Sequence, residues 1–262
     1  IITSIMQKIR FIQSFQRLEK AMKLKILGSG SSGNCYILEN DSEALIIEAG
    51  LPFMEVKKAL NFNVMKIVGV LASHVHGDHA KYIGEYEKAG IPVWKPYDTD
   101  FYKSCDMKKY GTFEVRTFPN QDKDRRWLHH NSDGSECPCY GFYITHPDMG
   151  NLVYTTDTEY VRWRFKGVNH ILCEANYDMQ FVNRDEPNYE HRLRGHMSLD
   201  TALKFISTND NPALRNVVLI HLSDKSGDPA LFKQKTEGTI KYGANVYVAC
   251  KGLEVDMNLC PF

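Results

Sequence analysis

Ile67-Val68-Gly69-Val70-Leu71-Ala72-Ser73-His74-Val75-His76-Gly77-Asp78-His79 is the stretch on which the reading of this chain turns. Its first half, residues 67–72, is short, apolar and rich in branched side chains, as buried strands are. Its second half sets His74, His76, Asp78 and His79 within six residues. The whole chain has only 10 histidines, so a solvated polar turn is a poor account of this density. The four side chains therefore lie at a strand's C-terminal end, just before a helix expected to start near Ala80. Loops at such edges are where α/β folds build their sites. Imidazoles combined with a carboxylate favour zinc, with manganese or iron also compatible.

Outward from this stretch, strand-like runs recur at residues 24–27, 35–38, 44–47, 93–95, 113–117, 141–144, 152–154, 170–173, 217–220 and 245–248. Helical patterns are expected at 53–60, 81–89, 198–207 and 229–236. Strands in two sets with helices between them make an α/β protein. There is no internal repeat and no low-complexity segment. Residues 120–138 are the least ordered by composition, being rich in Asp, Lys, Arg, Asn, Ser and Gly.

A hydrophobic fraction of 43% supports a well-buried core, and 262 residues suffice for one large domain. Thirty-two basic and 32 acidic residues cancel. That balance does not by itself demand a nucleic-acid partner, since strong polyanion binders carry a basic surplus. Seven cysteines without regular spacing argue against a disulfide framework. Reduced thiols and a cytoplasmic location are expected. Residues 1–21 are basic and partly amphipathic, without the unbroken apolar core and small-residue cleavage site of a secretory signal. They read as an N-terminal extension ahead of one domain spanning 22–262. No run is long enough to span a bilayer, so no membrane partner is expected.

Two further stretches carry a resemblance. Met22-Lys23-Leu24-Lys25-Ile26-Leu27-Gly28-Ser29-Gly30-Ser31-Ser32-Gly33-Asn34 is similar to the first strand and Gly/Ser turn of the bacterial WalJ-type (YycJ-like) nucleases. Leu45-Ile46-Ile47-Glu48-Ala49-Gly50 resembles a strand that in their relatives ends in aspartate. With the His74–His79 motif, these identify a resemblance to the metallo-β-lactamase superfamily over residues 22–255, within it to the WalJ-type exonuclease group, related to tRNase Z. The resemblance implies a four-layer αββα sandwich and two divalent metal ions, Zn2+ or Mn2+. It also implies that the acid at Glu48 supports the metal loop rather than binding metal.

The resemblance further implies ligands beyond the first motif. Leu152-Val153-Tyr154-Thr155-Thr156-Asp157 ends a strand in Asp157 and resembles the segment that delivers a bridging aspartate. A turn or N-cap aspartate is the plainer alternative. Val217-Val218-Leu219-Ile220-His221-Leu222-Ser223 ends a strand in His221, followed by Leu-Ser as in WalJ-like and tRNase Z-like proteins. A satisfied core histidine is the alternative there. A third histidine should lie between the strands at 113–117 and 141–144. His129 and His130 both qualify, and the His130–Asn131 pair resembles the family's His-Asp or His-Asn pair, which favours His130. Metal one would then take His74, His76, His130 and Asp157, and metal two Asp78, His79, Asp157 and His221.

Two metals about 3.5–4 Å apart can hold a bridging hydroxide that is nucleophilic at neutral pH. Cys173-Glu174-Ala175-Asn176-Tyr177-Asp178 and Gly195-His196-Met197-Ser198 resemble motifs of the nuclease branches. There the histidine can protonate a leaving group while the glutamate orients it. His196 is the expected general acid and Glu174 its orienter, with Asp78 counted among the catalytic residues. A loop histidine ahead of a helix capped by Ser198 is the structural alternative. That helix N-terminus could itself accept a phosphate. Asp178 and His191 read as surface groups. Lys123, Arg125, Arg126 and Trp127 could grip a nucleic acid, although such a cluster is more often a solvated loop.

These motifs together point to a phosphodiesterase or nuclease acting on a nucleic acid or nucleotide, with a DNA exonuclease as the leading expectation. A cyclic-nucleotide phosphodiesterase and a lactonase or other carboxyl-ester hydrolase are the alternatives.

Overall fold

A computed structural model describes residues 21–98, 106–120, 129–131, 133–185 and 189–259, without the side chains of 190–192. The N-terminal stretch 1–20, the basic and aromatic residues Lys123, Arg125, Arg126 and Trp127, and the side chain of His191 thus lie outside the described part.

Two large sheets organise the chain. The first contains β1 (Lys23–Gly28), β2 (Cys35–Glu39), β3 (Ala44–Ile47), β4 (Ile67–Leu71) and β5 (Val93–Trp94). The second contains β6 (Met107–Tyr110) and β7 (Phe113–Pro119), then β10 (Tyr140–His146), β11 (Gly150–Thr155), β12 (His170–Glu174), β13 (Asn216–Ile220) and β14 (Asn245–Val248). Between β7 and β10 a small hairpin pairs β8 (His129–His130) with β9 (Glu136–Cys137). The last strand, β15 (Glu254–Asp256), returns to the first sheet beside β1. Both sheets are mixed. β3, β4 and β5 run parallel, as do β11, β12, β13 and β14, while the rest pair antiparallel.

Alternation along the strands makes the layers, because successive side chains point to opposite faces. Leu45, Ile47 and Leu71 of the first sheet meet Leu152, Tyr154, Leu172, Val218 and Ile220 of the second in one central core. Their neighbours face outward. Ile46 and Val70 pack with Phe53 and Val56 of helix α1 (Phe53–Ala59), beyond which the four-residue α2 (Gly77–Ala80) leads to α3 (Ile83–Lys88), whose Ile83 and Tyr86 join the same cluster. On the other side lie α4 (Tyr189–Gly195), α5 (Leu199–Asn209) and α6 (Pro229–Glu237). Val153, Ile171, Cys173, Val217 and Leu219 pack there against Leu199, Ala202, Phe205 and Ile206 of α5 and Phe232 of α6. Three cores separate four layers, helix–sheet–sheet–helix, which is the expected αββα sandwich. Strands such as β12 and β13 are buried on both faces and so read as unbroken apolar runs.

No helix among the described residues is long and apolar enough to cross a membrane. The described cysteines, Cys35, Cys137, Cys139, Cys173 and Cys250, are all free thiols.

Candidate metal centre

The parallel strands of both sheets deliver their C-terminal ends to one place. After β4 the chain passes Ala72 and bends at Ser73. His74 then turns fully inward, Val75 outward at 53% exposure, and His76 becomes the N-cap of α2. Asp78 and His79 follow within α2. Neighbouring backbone pins this loop. Asn34 N donates to Asp78 O (2.7 Å) and Ala49 N donates to His79 O (2.7 Å). Gly50 permits the approach, since a Cβ there would sit 1.8 Å from Asp78 O.

The second sheet contributes Asp157 beyond the end of β11, Glu174 at the end of β12 and His221 just after β13. The register pairs Thr155 with Cys173, and Glu174 with Ile220, so these ends lie side by side. Glu48, Asp157 and His221 all adopt left-handed backbone, with φ of 67°, 48° and 54°. Such conformations cost about 1–3 kcal/mol each and persist where surrounding structure enforces them. Here they swing side chains off the strand ends into the cleft between the sheets.

The donor atoms gather into overlapping groups. His74, His76 and His129 form one, Asp78, His79 and His221 another, and Asp157 joins His74 and His79 in a third; within each group the atoms lie within 4.8 Å of one another. His76 Nε2–H donates to Asn131 Oδ1 (3.1 Å), which leaves Nδ1 facing His129 Nε2 at 2.9 Å. His74 Nδ1 lies 2.9 Å from Ser73 Oγ, while its Nε2 is buried with no hydrogen-bond partner among the described residues. A buried imidazole nitrogen left this way calls for an explanation, and a cation supplies one. In the second group, His79 Nε2 is 3.3 Å and His221 Nε2 3.2 Å from Asp78 Oδ2. Asp157 faces both groups, with Oδ2 3.0 Å from His79 Nε2 and Oδ1 3.8 Å from His129 Nε2. The donor set of imidazoles and carboxylates, in two clusters joined by one aspartate, fits a pair of divalent cations.

The electrostatics are those of closely packed opposite charges. Burial works against ionising Asp157, yet His221 and His79 hold it well below the ordinary carboxylate range. Asp78 is lowered as well, against its burial, by hydrogen bonds from His221 and His79. Burial would lower His221, but Asp157, Asp78 and Glu174 raise it to about 10. Burial pushes His74 well down, which favours its neutral form.

Beside these groups Glu174, fully buried, organises two histidines. Its Oε1 lies 2.7 Å from His196 Nδ1 and 3.2 Å from His221 Nδ1. Its Oε2 accepts from Met197 N (3.2 Å) and Thr158 N (3.3 Å). His196 is also 3.3 Å from Asp157 Oδ1, and its ring stacks on His221 with centroids 5.4 Å apart. Glu48 supports the loop from below. Its Oε2 accepts from Ser73 N (3.2 Å) and lies 3.5 Å from His79 Nδ1, and its Oε1 accepts from Tyr154 O–H (2.9 Å).

The fold thus brings together His74, His76, Asp78, His79, Asp157, His221, Glu174 and His196. It does not bring in His130, the expected third histidine. Neighbours on a strand face opposite ways. His129 is buried and turned towards His74 and His76, whereas His130 is half-buried, pairs in register with Glu136 and joins none of the donor groups. Asp178 binds Lys235 (2.8 Å) and stays outside the cluster. The sequence reading assigned no role to several polar residues that hold these side chains. Asn34 Nδ2 lies 2.9 Å from His79 Nε2, Asn176 Nδ2 3.2 Å from His221 Nδ1, and Cys139 Sγ 3.7 Å from His74 Nδ1. Asn34 and Asn176 sit inside quoted motifs, which was the available signal; Cys139 had none beyond its Cys-Pro-Cys spacing.

The cluster lines a cleft of about 420 Å³. A sequence model described as the metallo-β-lactamase superfamily matches residues 28–162, more than half of the chain. A Bacillus anthracis protein named exodeoxyribonuclease YycJ is 27% identical over 231 residues, covering 77% of this chain and 83% of that protein. Exodeoxyribonuclease WalJ of Streptococcus pneumoniae is 26% identical over 233 residues, covering 79% of this chain and 84% of that one. Among solved structures, the metallo-β-lactamase-fold protein YhfI from Bacillus subtilis superposes with a TM-score of 0.65 at 17% identity, over 90% of this chain and 99% of that one.

Proposed function

The chain belongs to the metallo-β-lactamase superfamily, and from that premise we propose that it is a two-metal phosphodiester hydrolase that shortens DNA as an exonuclease. The observation that carries this reading is the His196–Glu174 pair, whose imidazole lines the cleft with Nδ1 3.3 Å from Asp157 Oδ1. The exodeoxyribonuclease names of relatives matched over about four-fifths of the chain supply the substrate. In this reading one cation would be held by His74, His76, His129 and Asp157, the other by Asp78, His79, Asp157 and His221. When bound, two zinc or manganese ions supply a nucleophilic oxygen at neutral pH and neutralise phosphoryl charge.

The protein's own groups do the rest. Asp157 spans the two donor clusters with its two oxygens. Asp78 Oδ2 and His221 Nε2, 3.2 Å apart, present donor atoms of the second cluster to one point. His196 Nδ1–H donates to Glu174, which fixes the ring, and the ring hands a proton to the leaving oxygen through Nε2. Glu174 orients His221 in the same way, so one buried carboxylate aligns an acid and a ligand. A cytoplasmic site of action and the division into a 1–21 extension and a 22–262 domain belong to the same proposal, the former supported by the free thiols.

The test is a substrate panel with zinc- or manganese-loaded protein: labelled single- and double-stranded DNA, RNA, cyclic nucleotides and a lactone. Stepwise shortening of DNA, reduced by about 10²–10⁴-fold in His196→Ala with metal content retained, is the expected result. Turnover confined to cyclic nucleotides or the lactone would sink the exonuclease reading, and full activity in His196→Ala would remove the general acid.

A further inference from the structure

The cleft extends beyond the metal-binding side chains to a second wall, made of Ser31 from the Gly/Ser turn and the segment 222–225 that follows His221. The two are tied together. His221 N donates to Ser29 Oγ (2.9 Å), and a Cβ on Gly30 would lie 3.6 Å from the Leu222 carbonyl oxygen. The segment is also held at both ends, because Ser223 N donates to Asn176 O (2.8 Å) and the buried Ser226 accepts from Asp178 N at its carbonyl (3.0 Å). Lys225 sits on this pinned turn, exposed, in a cleft lining it shares with Ser31 and Ser223.

The charge arrangement singles Lys225 out. The acids lining the cleft are Asp78, Asp157 and Asp224, and among the described residues Lys225 is the one lysine or arginine in that lining. Asp78 and Asp157 are matched by histidines. Lys225 has no ion pair with any described carboxylate, unlike Lys235, which is spent on Asp178. A cation on a pinned backbone, unspent on an internal partner and sharing its cleft with two serines, suits a phosphate oxygen. It lies on the wall bordering His221, along the cleft from the metal-binding groups and not within them.

We propose that Lys225, with Ser31, forms a subsite for a second phosphate of a nucleic-acid strand, next to the phosphodiester being cleaved. The inference rests on the phosphodiester reading above and deepens it: the subsite makes an oligonucleotide, not a cyclic mononucleotide, the substrate class. A substrate with one phosphate fills only the metal-binding end, and one with two or more engages Lys225 as well.

The experiment compares metal-loaded wild-type, Lys225→Ala and Lys225→Arg proteins on a DNA dinucleotide with one phosphodiester and a trinucleotide with two, neither carrying a terminal phosphate. In Lys225→Ala the trinucleotide-to-dinucleotide ratio of kcat/KM should fall roughly tenfold, carried by KM, and Lys225→Arg should restore it. Binding of a fluorescent, hydrolysis-resistant phosphorothioate decamer is measured in parallel across salt concentration. The slope of log affinity against log salt should fall by about 0.7 in Lys225→Ala, the loss of one phosphate contact on a single strand. An unchanged ratio together with an unchanged slope overturns the subsite. Should the wild type cleave neither substrate, the phosphodiester reading has failed by itself, and the salt slope then decides Lys225 alone.

Discussion

His129 and His130 occupy consecutive positions on a strand, and only one of two such side chains can face a given partner. His129 faces His74 and His76, with ring centroids 5.2 and 4.6 Å away. Metal analysis of the two alanine variants is therefore expected to be unequal. His129→Ala should lose about one equivalent of zinc, while His130→Ala should keep the wild-type content; equal losses would remove His129 from the site. The choice was invisible beforehand because it depends on the facing of a two-residue hairpin strand, whose period is too short to read. The neighbouring Asn131 was a true clue read one position out. It reaches His76, not a cation. The motif residues His74, His76, Asp78 and His79 were legible because their spacing is local. Asn34, Asn176 and Cys139 were not, since their roles consist of contacts with residues 45 to 65 positions away.

At the level of elements, each of the eleven expected strands is present, and the expected helices at 53–60, 81–89, 198–207 and 229–236 correspond to α1, α3, α5 and α6. The strands that were not foreseen, β6, β8, β9 and β15, are short or lie at sheet edges, where burial on one face leaves little apolar signal. β12 carries a further consequence in its first residue. His170 Nε2–H donates to Met149 O (3.1 Å) and its Nδ1 accepts from Asn216 Nδ2 (3.0 Å), so the ring is built in as neutral. Burial lowers its pKa to about 4. In the unfolded chain the value is about 6.5, so the unfolded state binds the proton first as pH falls. The stabilisation is complete above about pH 6.5 and is lost progressively towards pH 4, on the order of 3 kcal/mol in all. Urea unfolding of wild type and His170→Gln across that interval should show a flatter pH dependence in the variant. Parallel curves would mean that His170 is not held neutral.

The whole molecule places its donors on both sheets. His74, His76, Asp78 and His79 follow β4 of the first, and Asp157 and His221 follow β11 and β13 of the second. Cations bound between them would tie the layers together across the mouth of the central core. Ligands that bind only the folded state add about 2.7 kcal/mol at a hundredfold excess over Kd. For a domain of this size roughly 2–4 °C of Tm accompanies each kcal/mol. Metal removal by EDTA should thus lower Tm by about 5–10 °C, zinc or manganese should restore it, and Asp157→Ala should be largely insensitive to both. A Tm indifferent to EDTA in the wild type would show that the clusters do not take up metal.

The sequence by itself determined the strands and helices of an α/β protein, because alternation and unbroken apolar runs are local consequences of how many faces a strand buries, while the four-layer plan came from the resemblance its motifs carry. It also marked the His74–His79 cluster and the polar residues at or just beyond the ends of β11, β12 and β13, since a polar residue terminating an apolar strand is a local signal. Only the tertiary structure decided which of two adjacent histidines completes the cluster. It alone showed that Glu174 serves both His196 and His221 and that Lys225 stands on the far wall of the cleft. Each of those facts depends on separate strand ends meeting in space, and that meeting is set by packing of the two sheets and not by any neighbour along the chain.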